Sequence, residues 1–251
     1  MFSSHSVWCV VPAYNEERLL PRMLGRASKH FDRVLVVDDA SQDATAEVAS
    51  ATLDPRVQVL RHAQNQGVGA AIRSGYLAAA AAGADIVVVM AADDQMDPAD
   101  LPSLLEPLVR DRAEYVKGNR LIHAAARRMP WERRAAGYVL GFITARATGY
   151  ALSDSQCGYT AISGRALERL DLDELWPRYG YPNDLLALAA RAGLRVAEVA
   201  VAPVYADEAS GIRPYHFFSV CALIARRWAG ERKRKLFPHG KVFGGLRKSI
   251  T

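Results

Sequence analysis

The sequence predicts an α/β fold with a mostly parallel central sheet flanked by helices. Over the first 120 residues, short apolar runs rich in β-branched side chains alternate with longer segments of helical apolar spacing. Strands that alternate with helices form right-handed βαβ units, which place their strands parallel in one sheet. The chain has 251 residues, half of them hydrophobic, which is enough for one large core.

Five strands and four helices are predicted before residue 121. The strands occupy residues 6–14, 33–39, 56–62, 85–91 and 114–120. The helices occupy residues 16–31, 41–49, 67–83 and 97–109, with Ser41 as a capping residue and Gly83 as a stop signal. In the second half, the sequence predicts helices at 131–152 and 182–193 and a further helix that begins at residue 164. It predicts strands at 157–163 and 195–204.

Composition and charge narrow the class of protein. The formal net charge of +5 suits a phosphate-bearing ligand or an anionic surface, and no nucleic-acid partner is expected. The three cysteines form no CxxC pair, which predicts neither a zinc site nor a disulfide framework. The first residues lack the features of a secretory signal, and no apolar segment reaches the roughly 20 residues that a bilayer span needs. We therefore expect a cytoplasmic protein whose membrane contact, if it has one, is peripheral.

Polar residues follow four of the predicted strands at the point where each strand ends. Open parallel sheets bind their ligands beyond the carboxyl ends of the strands. The sequence therefore predicts one site built from residues 14–16, 38–39, 93–95 and 119–120.

Five segments, in this order, resemble the family 2 glycosyltransferases of the GT-A nucleotide-diphospho-sugar transferase fold. They are VVPAYNEE from Val10, VVDDASQDAT from Val36, NQGVGAAIRSG from Asn65, the acids after the fourth strand, and SDSQCGYTAIS from Ser153. Within that family the chain looks most like the polyprenyl-phosphate sugar transferases of the dolichyl-phosphate mannosyltransferase type. The resemblance covers roughly residues 7–210.

The resemblance implies an inverting transfer of a hexose from a nucleoside-diphosphate sugar to a polyprenyl phosphate. It implies a catalytic domain at 1–212, with a nucleotide-binding half at 1–120 and an acceptor half at 121–212. An aromatic and basic helical extension would follow at 213–251, either as a core helix or at the inner face of a membrane. Two alternatives stay open: the same donor chemistry with a soluble hydroxyl acceptor, and a nucleotide-sugar-binding module without turnover.

The donor site that the resemblance implies combines an aromatic face with several carboxylates. A tyrosine ring can stack on a base, and carboxylates accept hydrogen bonds from ribose hydroxyls or base N–H groups. For Asp38 and Asp39 the alternative is a structural role as turn caps. The implied donor-binding residues are Pro12, Tyr14, Glu16, Asp38, Asp39, Asp94, Asp154, Gln156 and Arg213.

The metal site departs from the family pattern, which is Asp-x-Asp-x-Gln. Asp93 and Gln95 match its second acid and its amide, while Ala91 replaces the first acid. Mg²⁺ or Mn²⁺ needs only one or two protein oxygens when water and phosphate complete its shell. Asp93 and Gln95 are therefore the implied metal ligands, and Asp94 could serve the metal or the sugar. The alternative is a capped loop without metal.

The acceptor side is basic. The resemblance implies that Arg120, Arg133 and Arg134 bind a lipid phosphate, although a solvated basic face is the alternative. Asp184 is either a general base for a hydroxyl acceptor or an acid that favours a helix N-terminus. Asp93, Asp184 and Arg120 are the candidate catalytic residues.

Overall fold

The protein is described here by a computed structural model that covers residues 5–204 and 220–227. Seven strands form one sheet, as the α/β prediction requires. The strands are β1 Val7–Ala13, β2 Arg33–Asp38, β3 Val57–Arg61, β4 Ile86–Val89, β5 Tyr115–Asn119, β6 Thr160–Ser163 and β7 Val196–Ala200. The helices are α1 Leu20–Ala27, α2 Thr45–Ser50, α3 Val68–Ala81, α4 Leu101–Val109, α5 Trp131–Thr148, α6 Gly164–Glu168 and α7 Tyr181–Arg191. Residues 220–227 are also helical.

The order of strands across the sheet is β3-β2-β1-β4-β6-β5-β7. All neighbours are parallel except β6, which runs antiparallel to both β4 and β5. Thr160, the first residue of β6, pairs with Val89 at the end of β4 and with Lys117 of β5. The segment before β6 therefore reaches the sheet at the same edge as the carboxyl ends of the parallel strands. The position of β6 was not predicted from the sequence.

Strands β1 and β4 are apolar along their whole length because both faces of the sheet are covered by helices. On one face Val11 and Val88 pack with Leu104 of α4. On the other face Val10 and Val87 pack with Ile72 of α3. Among the described helices, none is long and apolar enough to cross a membrane.

Two glycines of α3 let this helix approach the sheet and the segment before α7 closely. A Cβ atom at Gly75 would lie 2.2 Å from Cγ1 of Val10, and one at Gly69 would lie 2.1 Å from the carbonyl oxygen of Trp176. Neither distance is possible for a real side chain. These glycines therefore serve the packing of α3.

The start of α2 differs from the prediction. The helix begins at Thr45, and Ser41 instead accepts a hydrogen bond of 2.9 Å from the backbone N–H of Asn15. Ser41 thus ties the end of β1 to the end of β2. A serine that accepts a backbone N–H from a neighbouring loop cannot be told from a helix cap in the sequence, because both roles use the same short hydroxyl acceptor.

Candidate active site

A cleft of about 150 Å³ lies at the carboxyl edge of the sheet. Its walls come from the loop after β4, the end of β5, the segment before β6 and the chain after β7. The lining residues are Asp93, Gln95, Met96, Arg120, Cys157, Gly158, Tyr159, Val201, Ala202, Pro203 and Val204. The cleft therefore brings together the two predicted metal ligands and one predicted acceptor residue, as the strand-end rule anticipates. The predicted residues at 14–16 and 38–39 do not line this cleft.

The loop after β4 sends its two adjacent acids in different directions. Asp93 lines the cleft, and its Oδ1 accepts the backbone N–H of Gln95 at 3.0 Å. Asp94 has a φ of 57°, in the left-handed region that asparagine and aspartate tolerate best after glycine. This conformation turns the chain between the two carboxylates.

Asp94 is anchored to α1 and does not line the cleft. Its buried carboxylate lies 2.7 Å from Nε of Arg22 and 2.8 Å from Nη1 of Arg26. Two guanidinium groups on one carboxylate hold the acidic loop against α1. The sequence signal for this contact was the pair of arginines spaced four apart on α1, which share one helix face.

The residues present fit a hard divalent cation only in part. Asp93 and Gln95 supply one carboxylate and one amide oxygen to the cleft, which are ligand types that Mg²⁺ and Mn²⁺ accept. Among the described residues no three histidine, cysteine or acidic side chains are grouped to hold a metal ion. At Ala91 the backbone N–H points to Sδ of Met96 at 3.2 Å. A cation here would take its other ligands from phosphate and water.

The two acids at the end of β2, Asp38 and Asp39, differ in how completely their carboxylate oxygens are hydrogen-bonded. Asp39 is engaged on both oxygens: Oδ1 lies 2.7 Å from Nδ1 of His62 and accepts the N–H of Gln66, while Oδ2 accepts the N–H of Gly67. Asp39 therefore fastens the loop before α3, which favours the structural role for this residue.

Asp38 keeps an open acceptor. Its Oδ1 accepts the N–H of Ser41 at 3.2 Å. Its Oδ2 lies 3.0 Å from Nε of Arg61, but the two groups are not aligned for a hydrogen bond, so this buried oxygen has no hydrogen-bond partner among the described residues. A buried acceptor with no hydrogen-bonded donor is costly, and an N–H or O–H of a ligand would satisfy it only by displacing Arg61, because Asp38 is fully buried.

The end of β1 presents the predicted aromatic face. Tyr14 is 44% exposed directly after the strand, and Pro12 is partly buried within it. The backbone N–H of Glu16 donates to Oγ1 of Thr45 at 2.7 Å, which fixes this turn against α2. An exposed ring on a fixed turn is suited to stacking.

Arg120 is held in the cleft wall by Asp154. Nε and Nη2 of Arg120 donate to the two carboxylate oxygens at 2.8 and 3.0 Å, and the backbone N–H of Arg120 donates as well. The N–H groups of Gln156 and Cys157 complete the set around the fully buried Asp154. Burial acts to raise the pKa of Asp154, but Arg120, Lys117 and these hydrogen bonds hold the pKa below its usual value.

Asp154 and Gln156 thus position other groups and do not themselves line the cleft. The side-chain amide of Gln156 donates to Oδ1 of Asn183 at 2.6 Å, on α7. The segment that contains them does border the cleft, but through Cys157 and Tyr159.

Asp184 lies in a different cavity. This buried carboxylate accepts the N–H of Trp176 at 2.7 Å and Nη2 of Arg227 at 2.8 Å. The cavity around it, between α5, α7 and residues 220–227, shares no lining residue with the cleft that holds Asp93.

The positive charges of Arg120 and Arg133 both act on the phenol of Tyr179. Burial raises the pKa of Tyr179 to about 12, and the positive charges of Arg120 and Arg133 both oppose that rise. Both guanidinium groups therefore lie near this ring. Arg134, the next residue of α5, is partly buried, and Arg213 lies outside the described residues.

Two charged residues beside the cleft, one partly buried and one fully buried, were not assigned a role from the sequence. Glu198 of β7 accepts hydrogen bonds from the N–H groups of Ser153 and Asp154 and from Asn119. Lys117 of β5 is fully buried and donates to the carbonyl oxygen of Cys157, and its burial lowers its pKa. A charged residue inside an otherwise apolar strand was the available signal for both.

The sheet order and the antiparallel β6, with the cleft at the strand ends, define the fold as GT-A, the fold of nucleotide-diphospho-sugar transferases. The structure of glucosyl-3-phosphoglycerate synthase from Mycobacterium tuberculosis with Mn²⁺ and UDP-glucose superposes with a TM-score of 0.67. The two chains are 21% identical, and the match covers 90% of this chain and 80% of that one. This likeness confirms the predicted fold.

The chain belongs to glycosyltransferase family 2, whose model, Glycosyl transferase family 2, matches residues 8–171. It is 30% identical to UDP-N-acetylglucosamine–dolichyl-phosphate N-acetylglucosaminyltransferase of Methanococcus voltae, over 80% of this chain and 86% of that protein. It is 32% identical to undecaprenyl-phosphate mannosyltransferase of Micrococcus luteus, over 91% and 98% of the two chains. The protein is therefore a glycosyltransferase, and the predicted family is confirmed.

Proposed function

We propose that this enzyme transfers a hexose, with inversion, from a nucleoside-diphosphate sugar to a polyprenyl phosphate, and that residues 1–212 carry the catalytic machinery. The observation that carries the proposal is the composition of the cleft. Among the described residues that line it, Asp93 is the only acid and Arg120 the only base. A phosphate acceptor is already an anion, so it needs a cationic group to hold it and no general base. The names of both relatives, which include lipid phosphates, support the same acceptor.

Asp93 and Gln95 would hold the divalent cation, Mg²⁺ or Mn²⁺. The cation would offset the negative charge that develops on the departing nucleoside diphosphate. On the donor side, the open Oδ2 of Asp38 would accept an N–H or O–H of the nucleoside, and Tyr14 would stack on its base. Asp39 and Glu16 would keep the surrounding loops in place.

On the acceptor side, Arg120 would bind the phosphate in line with the anomeric carbon. Asp154 would orient its guanidinium group through the paired hydrogen bonds. Arg133, whose charge also acts on Tyr179, would supply a second positive charge. Such preorganised charges act without reorganisation during the reaction.

The deciding experiment is a transfer assay on the full chain. Radiolabelled UDP- and GDP-hexoses would be incubated with Mn²⁺ and either a short prenyl phosphate or the corresponding prenyl alcohol. Product from the phosphate alone is the expected result. Product from the alcohol would show that the acceptor group is a hydroxyl and not a phosphate. Donor binding without any product would point to a binding module.

Ala91→Asp should raise the affinity for Mn²⁺. The substitution adds a carboxylate two residues before Asp93, and a second anionic oxygen strengthens binding of a hard cation. Isothermal titration of Mn²⁺ in the presence of UDP or GDP measures the change. A weaker affinity than that of the unaltered chain would argue against a metal at Asp93, and Ala91→Asn is the matched control without added charge.

Asp184→Asn should lower stability and spare the reaction. The buried carboxylate pairs with Arg227, so neutralising it should cost about 2–4 kcal/mol in the free energy of unfolding, measured by denaturant titration. Transfer at a temperature where the variant is folded should stay within about fivefold, whereas losing a general base costs about 10²–10⁴ in rate. A hundredfold slower reaction with unchanged stability would restore Asp184 as the base.

A further inference from the structure

The segment 153–157 carries the carboxylate that holds Arg120. Asp154 pairs with the guanidinium group through two hydrogen bonds, and Cys157, at the end of the segment, lines the cleft. The segment contains neither helix nor strand, so its backbone groups need partners elsewhere in the protein. Its shape therefore depends on the side chains that its backbone contacts, and the position of Arg120 depends on that shape.

Glu198 of β7 binds the start of this segment through both oxygens of its carboxylate. Oε2 accepts the backbone N–H of Ser153 at 2.9 Å, and Oε1 accepts the backbone N–H of Asp154 at 3.0 Å. Two backbone N–H groups on one carboxylate fix the direction of the chain as well as its position. Glu198 therefore acts directly on the backbone of the residue whose side chain holds Arg120.

Strand β5 adds two contacts to the same segment. Nδ2 of Asn119 donates to Oγ of Ser153 at 2.6 Å and to Oε2 of Glu198 at 2.7 Å. Nζ of Lys117 donates to the carbonyl oxygen of Cys157. Lys117 and Glu198 are paired in the register of β5 and β7, so their side chains leave the same face of the sheet. Side chains of two neighbouring strands thus hold both ends of the segment.

Asn119 also fixes the backbone on the other side of Arg120. This fully buried residue precedes Arg120, and its Oδ1 accepts the N–H groups of Leu121 and Ile122 at 2.9 and 3.3 Å. Arg120 is therefore supported twice, by Asn119 through the backbone and by Asp154 through the side chain. Glu198 contacts both supports, because it accepts hydrogen bonds from the amide of Asn119 and from the N–H of Asp154.

We propose that Glu198 is a positioning residue for sugar transfer, which orients Arg120 toward the acceptor phosphate from outside the cleft. Glu198 is not among the residues that line the cleft, so its effect must pass through the segment that it holds. The inference rests on the proposed function, because it concerns the arginine assigned to that phosphate. The loss of outer groups that orient metal ligands typically costs about 10–100-fold in affinity or activity, and an effect of this order is expected here.

Glu198→Gln in the full chain tests the proposal. The amide has nearly the shape of the carboxylate, but it replaces one acceptor oxygen by an NH2 group that faces a backbone N–H. The value of kcat/KM for a short prenyl phosphate should fall by about tenfold or more, mainly through a higher acceptor KM, while the donor KM stays unchanged. Ser153→Ala leaves the backbone N–H in place and should not alter the acceptor KM.

A double-mutant cycle separates positioning from a general loss of structure. If Glu198 acts through Arg120, Glu198→Gln should have almost no further effect on transfer in the Arg120→Ala background. Glu114→Gln is the matched structural control, because Glu114, before β5 at the opposite edge of the sheet, accepts the backbone N–H of Arg195 at 2.9 Å. It should lower the melting temperature, as Glu198→Gln does, and leave the acceptor KM unchanged.

The same cycle measured by denaturant unfolding needs no acceptor. The effects of Glu198→Gln and Arg120→Ala on stability should be less than additive, because each releases Asp154 from its contacts. An unchanged acceptor KM in Glu198→Gln, an undiminished effect in the Arg120→Ala background, or additive unfolding effects would overturn the proposal. Absence of transfer to any prenyl phosphate would reject the proposed function, and the unfolding cycle alone would then decide whether Glu198 positions Arg120.

Discussion

Asp93→Ala should reduce sugar transfer by about 10³-fold or more, because charge stabilisation by a bound cation is worth several kcal/mol in the transition state. Asp93 is the single described acid in the cleft, so no neighbouring side chain can take its place as a charged ligand. The melting temperature should hardly change, since the residue is partly exposed and lies in a loop. Single-turnover transfer with labelled donor, together with Mn²⁺-dependent nucleotide binding, measures both effects.

The adjacent acid is the matched control. Asp94→Asn removes a carboxylate that pairs with Arg22 and Arg26 on α1. We expect a lower melting temperature and an unchanged dependence on Mn²⁺, which is the reverse of the Asp93→Ala result. The assignment of the two acids would be wrong if Asp94→Asn abolished metal dependence while Asp93→Ala stayed active in the presence of a chelator.

Arg120→Ala should lower kcat/KM for the phosphate acceptor by about 10²–10³, the effect expected for losing one preorganised charged donor. Donor affinity should be preserved, because the residues proposed for the nucleoside lie at the ends of β1 and β2, whereas Arg120 follows β5. The variant should also lose stability, by about 3 kcal/mol, because Asp154 would stay buried without its partner. Acceptor titrations at saturating donor and denaturant unfolding separate the two effects.

A double variant separates positioning from stability. Arg120→Ala with Asp154→Asn removes the unpaired buried charge and should recover most of the lost stability without recovering transfer. Arg120→Lys keeps the charge but not the paired geometry with Asp154, so its activity should be intermediate. Full activity of the double variant would mean that Arg120 serves only to neutralise Asp154.

Much of the donor half could be predicted because the relevant signals are local. Apolar runs, helical spacing and the polar residue after each strand are all contained in short windows. In a parallel sheet these strand ends meet at one edge, so adjacency in space followed from the type of fold. Asp93, Gln95 and Arg120 were expected together on this reasoning, and they share one cleft.

The acceptor half was less predictable because its contacts connect distant parts of the chain. Asp184 pairs with Arg227, which is 43 residues away, and nothing in the sequence near either residue indicates that pair. The antiparallel strand β6 was likewise visible as a strand but not as the partner of β4 and β5.

By itself, the sequence determined the order of the elements, the α/β class and the family, since periodicity and motif order can be recognised without knowledge of any long-range contact. The tertiary structure decided which of two adjacent acids faces the cleft, because the left-handed backbone at Asp94 turns that side chain toward α1. It also decided that Glu198 contacts the segment that carries Asp154. The sequence shows a carboxylate inside a strand, but only the position of β7 beside β5 determines which backbone groups that carboxylate reaches.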